Sequence, residues 1–271
     1  MTVHFRQKGL FIVLVLLSGI STSFAQTKDT LSSAQTMVKP QRVESNETLN
    51  KDYFEQKFTG HWGGIYLGFN NLIKTDYNNY NDADKGFLSN KVLKSSSIYI
   101  NAVQFSMGLQ EYRNTIGMVT GIGLESQNIR FDPSVSIVEN SDKHVEPVKI
   151  VAQKNLKSKL TVFYLTVPFL MEFQIPVRND YDRIYFSVGV VEKLKLSAYT
   201  KEKFVADNNK KIIIKSPGEF GLNSFRNSLC ANIGYRGIQI FAEYGLDSMF
   251  DENRGPKTIP VSFGIALFKW N

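Results

Sequence analysis

Residues 159–175 read KLTVFYLTVPFLMEFQI, and from Phe163 to Ile175 every second side chain is large and apolar. The positions between them pass from Tyr164 and Thr166 through Pro168 and Leu170 to Glu172 and Gln174. Alternation with a period of two over this length describes a β-strand whose two faces meet different surroundings. The apolar face meets either a protein core or a lipid bilayer, and the rest of the sequence bears on which.

Seven further segments repeat the pattern, so strands are expected at 62–69, 98–110, 115–131, 160–175, 184–198, 228–235, 238–246 and 259–270. Each has one face of large apolar residues, as in Val103/Phe105/Met107/Leu109 or Ile259/Val261/Phe263/Ile265/Leu267. The opposite faces carry Gly64, Tyr66 and Gly68, then Gln104, Ser106 and Gly108, then Gly121, Gly123 and Glu125, and finally Ser262, Gly264 and Ala266. A water-soluble barrel would show Lys and Glu on its solvent face. Small and neutral-polar residues suit the narrow lumen of a membrane barrel, whose apolar face meets lipid.

The connections alternate in length. Long polar stretches at 70–96, 132–158 and 200–227 are separated by short turns at Tyr112-Arg113-Asn114, Arg178-Asn179-Asp180 and Arg236-Gly237. Outer-membrane barrels have short periplasmic turns and longer external loops. The expectation is an all-β chain, an eight-stranded antiparallel transmembrane β-barrel with both termini on the periplasmic side.

Upstream, Arg6 and Lys8 precede an apolar run from Leu10 to Leu17, and Ser23-Phe24-Ala25 leads into Gln26. That order predicts a secretory signal peptide over 1–25. Residues 26–58 are polar and aperiodic and read as a flexible, disordered periplasmic segment with a short helix near Asn50 to Gln56; the barrel takes 59–271. The net charge is +7, and loss of Arg6 and Lys8 with the signal leaves +5. In an exported chain this modest excess fits anionic lipid headgroups or solubility rather than nucleic acid. The lone Cys230 allows no intramolecular disulfide.

Several of these stretches together, GHWGGIYLGFNN, INAVQFSMGLQEYRNTIGMVTGIGLES, LTVFYLTVPFLMEFQIP, IYFSVGVVEKLKLSAYTK, NIGYRGIQIFAEYGLDSMF and IPVSFGIALF, resemble the PorT-like outer-membrane β-barrel family of Bacteroidota. The resemblance runs from His61 to the end. It implies an outer-membrane location in a Gram-negative bacterium and a fold mostly without assigned activity. One member class assists a secretion and gliding machinery. Glu192 and Lys193 depart from the family's usual Gly-rich fifth strand, and the resemblance carries over no catalytic residue.

Candidate functional residues follow from strand phase. Tyr66, Glu125, Glu172, Lys193, Lys195 and Glu243 fall on inward positions, where charges of both signs are expected to pair in a lumen polar network. Glu192 falls on the apolar face with Val190 and Leu194; either a β-bulge turns it inward or it contacts a partner protein in the membrane. His61 and Trp62 read as anchors at the membrane interface. Gly117, Gly121 and Gly123 read as small lumen residues, and Cys230 as lumen filler. His144, beside Ser141 and Asp142, lies in a long loop without a rigid catalytic frame. Lys210, Lys211 and Lys215 form a solvated run within reach of lipid headgroups. No metal-ligand spacing and no cofactor motif occurs. The function expected is a monomeric, non-conducting barrel of structural or adaptor type, contacting outer-membrane lipids and envelope proteins. The alternative is a lipid-binding or lipid-modifying barrel enzyme acting through its extracellular loops.

Overall fold

The alternating segments form strands, and the strands extend further than the apolar pattern alone marks them. The computed structural model describes residues 57–110, 114–132, 135–149, 154–177, 179–205 and 210–270. In chain order the strands are β1 (Gly64–Asp76), β2 (Ser96–Gly108), β3 (Ile116–Arg130), β4 (Val135–Glu139), β5 (Val145–Lys149), β6 (Lys154–Val177), β7 (Asn179–Val205), β8 (Lys211–Pro217), β9 (Phe225–Tyr235), β10 (Ile238–Gly245) and β11 (Lys257–Lys269). The helical elements among the described residues are two short 3-10 turns, Asp82–Asp84 and Val92–Lys94.

The sheet order is β6-β3-β2-β1-β11-β10-β9-β7, all neighbours antiparallel, and β7 pairs back onto β6. The strands therefore ring round, with no free edge between those eight. All eight expected segments are found in this ring. β8 adds to β7 outside the closure, and β4 pairs with β5 as a separate hairpin. The long connections are thus partly strand, in short apolar runs such as VSIVE (β4) and KIIIKSP (β8) set within polar stretches. A ladder of backbone hydrogen bonds needs no apolar face, so periodicity is silent where both faces are polar. The same reason explains why β6 and β7 reach Lys154 and Val205 rather than ending near residues 160 and 198.

The polarity of the two faces is the reverse of a water-soluble fold. On β6 the outward Met171 and Ile175 are 43% and 63% exposed, while the inward Glu172 and Gln174 are 1% and 4% exposed. Around the ring Ile98, Phe105, Met107, Leu229, Ile240, Phe263 and Leu267 all point outward and exposed. An apolar surface this continuous far exceeds what soluble monomers leave bare.

Register shifts interrupt the alternation at named places. One lies opposite Ile65 and Tyr66, one between Ile100 and Val103, and one where Phe163 pairs with Ser197 and Tyr164 with Lys195, so that β7 holds one extra residue. Beyond that last bulge Ala198 and Thr200 are buried and Leu196 and Ser197 are exposed, which inverts the phase expected from strict alternation.

Candidate functional site

The interior of the ring is filled at three levels. At the turn end, the chain ahead of β1 folds into the opening instead of lying free. Phe58 is buried against Gly108 and Gly117. Gly121 and Gly123 leave room for the Trp62 ring, since a Cβ at either would stand 2.7 Å and 3.0 Å from it. The glycines of β3 are small because this segment packs on them. Gln104 Oε1 accepts the backbone N–H groups of Trp62 (2.5 Å) and Gly63 (2.7 Å), and its Nε2 donates to the Gly60 carbonyl (2.8 Å). Gln239 Nε2 donates to the His61 carbonyl (3.2 Å).

His61 and Trp62 are therefore interior groups and not interface anchors. The His61 ring stacks on Tyr185 with centroids 3.9 Å apart, and its Nδ1 lies 2.7 Å from Glu172 Oε1. Its backbone N–H donates to Glu172 Oε2 (3.0 Å), and Gln174 Nε2 donates to Glu172 Oε1 (2.7 Å). Phe58 likewise belongs to the packed part of the chain rather than to a free segment. The short helix expected near residues 50–56 lies outside the described residues.

Midway, Lys193 stands between two carboxylates. Its Nζ donates to Glu125 Oε2 (2.6 Å) and to Glu243 Oε2 (2.5 Å), with all three residues buried. Ser97 donates to Glu125 Oε1 (2.9 Å), and the Tyr99 ring lies beneath the ammonium, 5.5 Å from it. Arg226, fully buried, is the direct cross-strand neighbour of Lys193 and bonds the Tyr164 hydroxyl (3.2 Å). Two cations and two carboxylates thus share the buried centre, and their formal charges cancel. Neutrality matters because an uncompensated buried charge costs several kcal/mol.

Of the five residues expected to form one network, three meet. Glu172 lies among the floor contacts and pairs with His61. Lys195 reaches Glu219 (2.6 Å) and the Leu222 carbonyl (3.0 Å) at the loop end, one inward position beyond Lys193. The apolar pattern starts this strand at 228 and so leaves out Arg226, although its phase, shared with Ser228 and Cys230, marks it as inward. Cys230 is buried inside, as its phase indicates.

The loop end is closed by an apolar cluster that joins several connections. Phe87, Leu88, Val135, Ile137, Val145, Phe220, Leu222, Met249 and Phe250 pack onto Ile129, Leu160, Val162 and Tyr164 of the ring. Tyr80 bonds the Val145 carbonyl (2.7 Å), and Val145 N–H bonds the Arg254 carbonyl (2.7 Å). His144 belongs to this cap: its ring lies 4.8 Å from that of Tyr80. Between cap and floor, Trp62, Tyr66, Tyr99, Thr166, Phe241 and Glu243 line a small cavity with room for about one water.

On the outer wall, Glu192 stays in outward phase. It pairs in register with Val167 and Asn227, and the bulge on β7 comes only after it, at Lys195 to Ser197. The inward rotation considered for it does not occur. No cluster of potential metal ligands exists among the described residues. No protein-family model matches the chain, and no curated protein matches it.

Proposed function

We propose that the chain is an eight-stranded outer-membrane β-barrel of structural or adaptor type, which conducts nothing and offers its loops and outer wall to lipids and envelope partners. The observation that carries the reading is the reversed polarity of a closed ring: large apolar side chains face out while carboxylates and cations are buried within. Only a bilayer makes that arrangement favourable, because it replaces water around the apolar wall and tolerates no unpaired sheet edge. The dimensions agree. From Ile175 to Phe163 the outward apolar positions of β6 span roughly 40 Å along the strand, or about 30 Å of height at the usual tilt, close to a hydrocarbon core.

The filled interior supports the non-conducting part. Floor, charged centre and cap succeed one another along the interior, each filled by buried side chains. The leader-like residues 1–25 and the motifs that resemble the PorT-like family point to the same compartment, and the family's link to a secretion and gliding assembly is the partner class we favour. The topology that follows puts the turn at Arg236 in the periplasm and the residues around Asn81 and Lys143 outside the cell.

The test is fractionation with gel mobility and electrical recording. The mature protein is expected in outer membranes, running faster unboiled than boiled, and silent in a planar bilayer. Recovery from the soluble periplasm would remove the membrane reading, whereas stable conductance steps would remove only the closed-interior reading.

A further inference from the structure

Above the apolar wall, four cations stand directly opposite one another on adjacent strands. Arg130 of β3 pairs with Lys159 of β6, Lys159 with Lys201 of β7, and Lys201 with Lys215 of β8. Lys157 and Lys203, also paired, continue the patch on the same face. Like charges directly opposite on a sheet repel. Among the described residues, none of the six forms an ion pair with a carboxylate. The half-buried acidic neighbour Glu202 has the opposite phase, pairing with Ser158 and Ile214.

The strands change character in steps as they approach this row. Outward positions run Leu124, Ser126, Asn128 and Arg130 on β3, and Leu165, Phe163, Thr161 and Lys159 on β6. On β7 they run Leu194, then Leu196 and Ser197 at the bulge, then Tyr199 and Lys201. Apolar residues give way to amide, hydroxyl and aromatic groups, and these to cations, over roughly 20 Å of strand. That is the order of hydrocarbon, interface and headgroup. The row is also built rather than loose. Lys159 Nζ donates to Asn128 Oδ1 (2.6 Å), Lys215 lies over the Tyr199 ring at 5.7 Å, and Thr161 beneath them is 1% exposed.

The β7 bulge exists to the row's benefit. Without the extra residue near Leu196, strict alternation from Lys193 would turn Tyr199, Lys201 and Lys203 into the ring. With it they face out. Bulges commonly re-aim side chains in this way.

The geometry points to a binding site for the phosphate groups of membrane-lipid headgroups, formed by Arg130, Lys159, Lys201 and Lys215 on the leaflet at the loop end. The ligand is a lipid, not free phosphate, because the row adjoins an exposed apolar wall that would hold the acyl chains. A phosphate set among the four removes their mutual repulsion and makes charge-assisted hydrogen bonds. The inference rests on the membrane reading of the ring.

The test uses the full-length protein in nanodiscs of zwitterionic lipid, with and without phosphatidic acid, and follows the folded-to-unfolded mobility shift against temperature. Wild type is expected to gain several degrees from phosphatidic acid, and a variant combining Lys159→Gln, Lys201→Gln and Lys215→Gln to lose most of that gain. In purely zwitterionic discs the same variant should melt no lower than wild type, since it has shed repulsion. A control with Lys85→Gln, Lys94→Gln and Lys257→Gln removes equal charge from the same end and should keep the gain. An equal gain in wild type and row variant, an equal loss in the control, or a variant that already melts lower in zwitterionic discs overturns the site. A gain from inorganic phosphate alone overturns the assignment to lipid. Failure to enter either disc is a separate result and overturns the membrane reading on which the site rests.

Discussion

Lys193 and Lys201 stand on one strand and face opposite surroundings. Lys193 is enclosed, 1% exposed, and held between Glu125 and Glu243, with Arg226 beside it to complete a neutral set. Lys201 looks outward into a row of its own sign. The protein compensates charge internally where no solvent reaches and leaves charge uncompensated where an external ligand can reach it. The separation is made by one inserted residue, since an unbroken β7 would place both ammonium groups inside.

The largest effect should come from breaking the enclosed set. Lys193→Met leaves Glu125 and Glu243 buried together without their shared cation, and is expected to cost about 3–5 kcal/mol. Unfolding in denaturant, read by the gel-mobility shift, measures it. Adding Glu125→Gln alone to the same variant should restore much of the stability, because Glu243 and Arg226 then remain as one buried anion and one buried cation. If Lys193→Met alone is neutral, the centre is wetter than its geometry indicates, and the contrast with Lys201 collapses.

A second variant probes the wall beside Lys193, on the side away from Lys201. Val167 is the register partner of Glu192 and points outward amid the apolar residues of β6. Val167→Arg should cost on the order of 2–4 kcal/mol near the bilayer midplane, and less toward either edge. The measurement is the unfolding free energy in lipid vesicles. A cost near zero would mean that water or protein covers this stretch of wall, and the outward apolar band would need another explanation.

Much of this was legible beforehand, for a specific reason. Strands with one apolar and one small-polar face announce themselves by period, so the eight ring strands and the inward phase of Glu125, Lys193 and Glu243 follow from sequence. What escaped lies where period carries no information. The bulge at Lys195 to Ser197 leaves no residue-type signature, so the outward phase of Tyr199 and Lys201 beyond it does not follow from alternation. Strand β8 (KIIIKSP) and the hairpin of β4 (VSIVE) and β5 are only five to seven residues long, too short for the long alternation that marks the ring strands. His61 and Trp62 were read from the habit of aromatic groups at interfaces, whereas the glycines at 117, 121 and 123 were the real clue, since a row of vacant side-chain positions implies something packed against it.

The smallest expected effect concerns Glu192, which belongs to neither side of the comparison. It is an anion on the apolar wall, without the enclosed compensation of Lys193 or the interfacial setting of Lys201. Its in-register neighbours are Val167 on one side and Asn227 on the other, and Asn227 is occupied with Asp247, whose Oδ2 accepts from its Nδ2 (3.0 Å). A carboxylate there costs less than Lys or Arg at the midplane, and less again near an edge. β9 begins at Phe225, one outward position above Asn227, so that edge is close on this side of the ring. Glu192→Leu should therefore stabilise the isolated protein in zwitterionic vesicles by about 1 kcal/mol. Loss of stability would show that the chain itself holds the carboxylate and that the wall is more continuous in its polar contacts than the register implies. A gain in vesicles, accompanied by loss of envelope cross-links made from this face, would assign the carboxylate to a partner. In that case the charge left uncompensated within the protein is compensated by another one, as we propose lipid does for the lysine row.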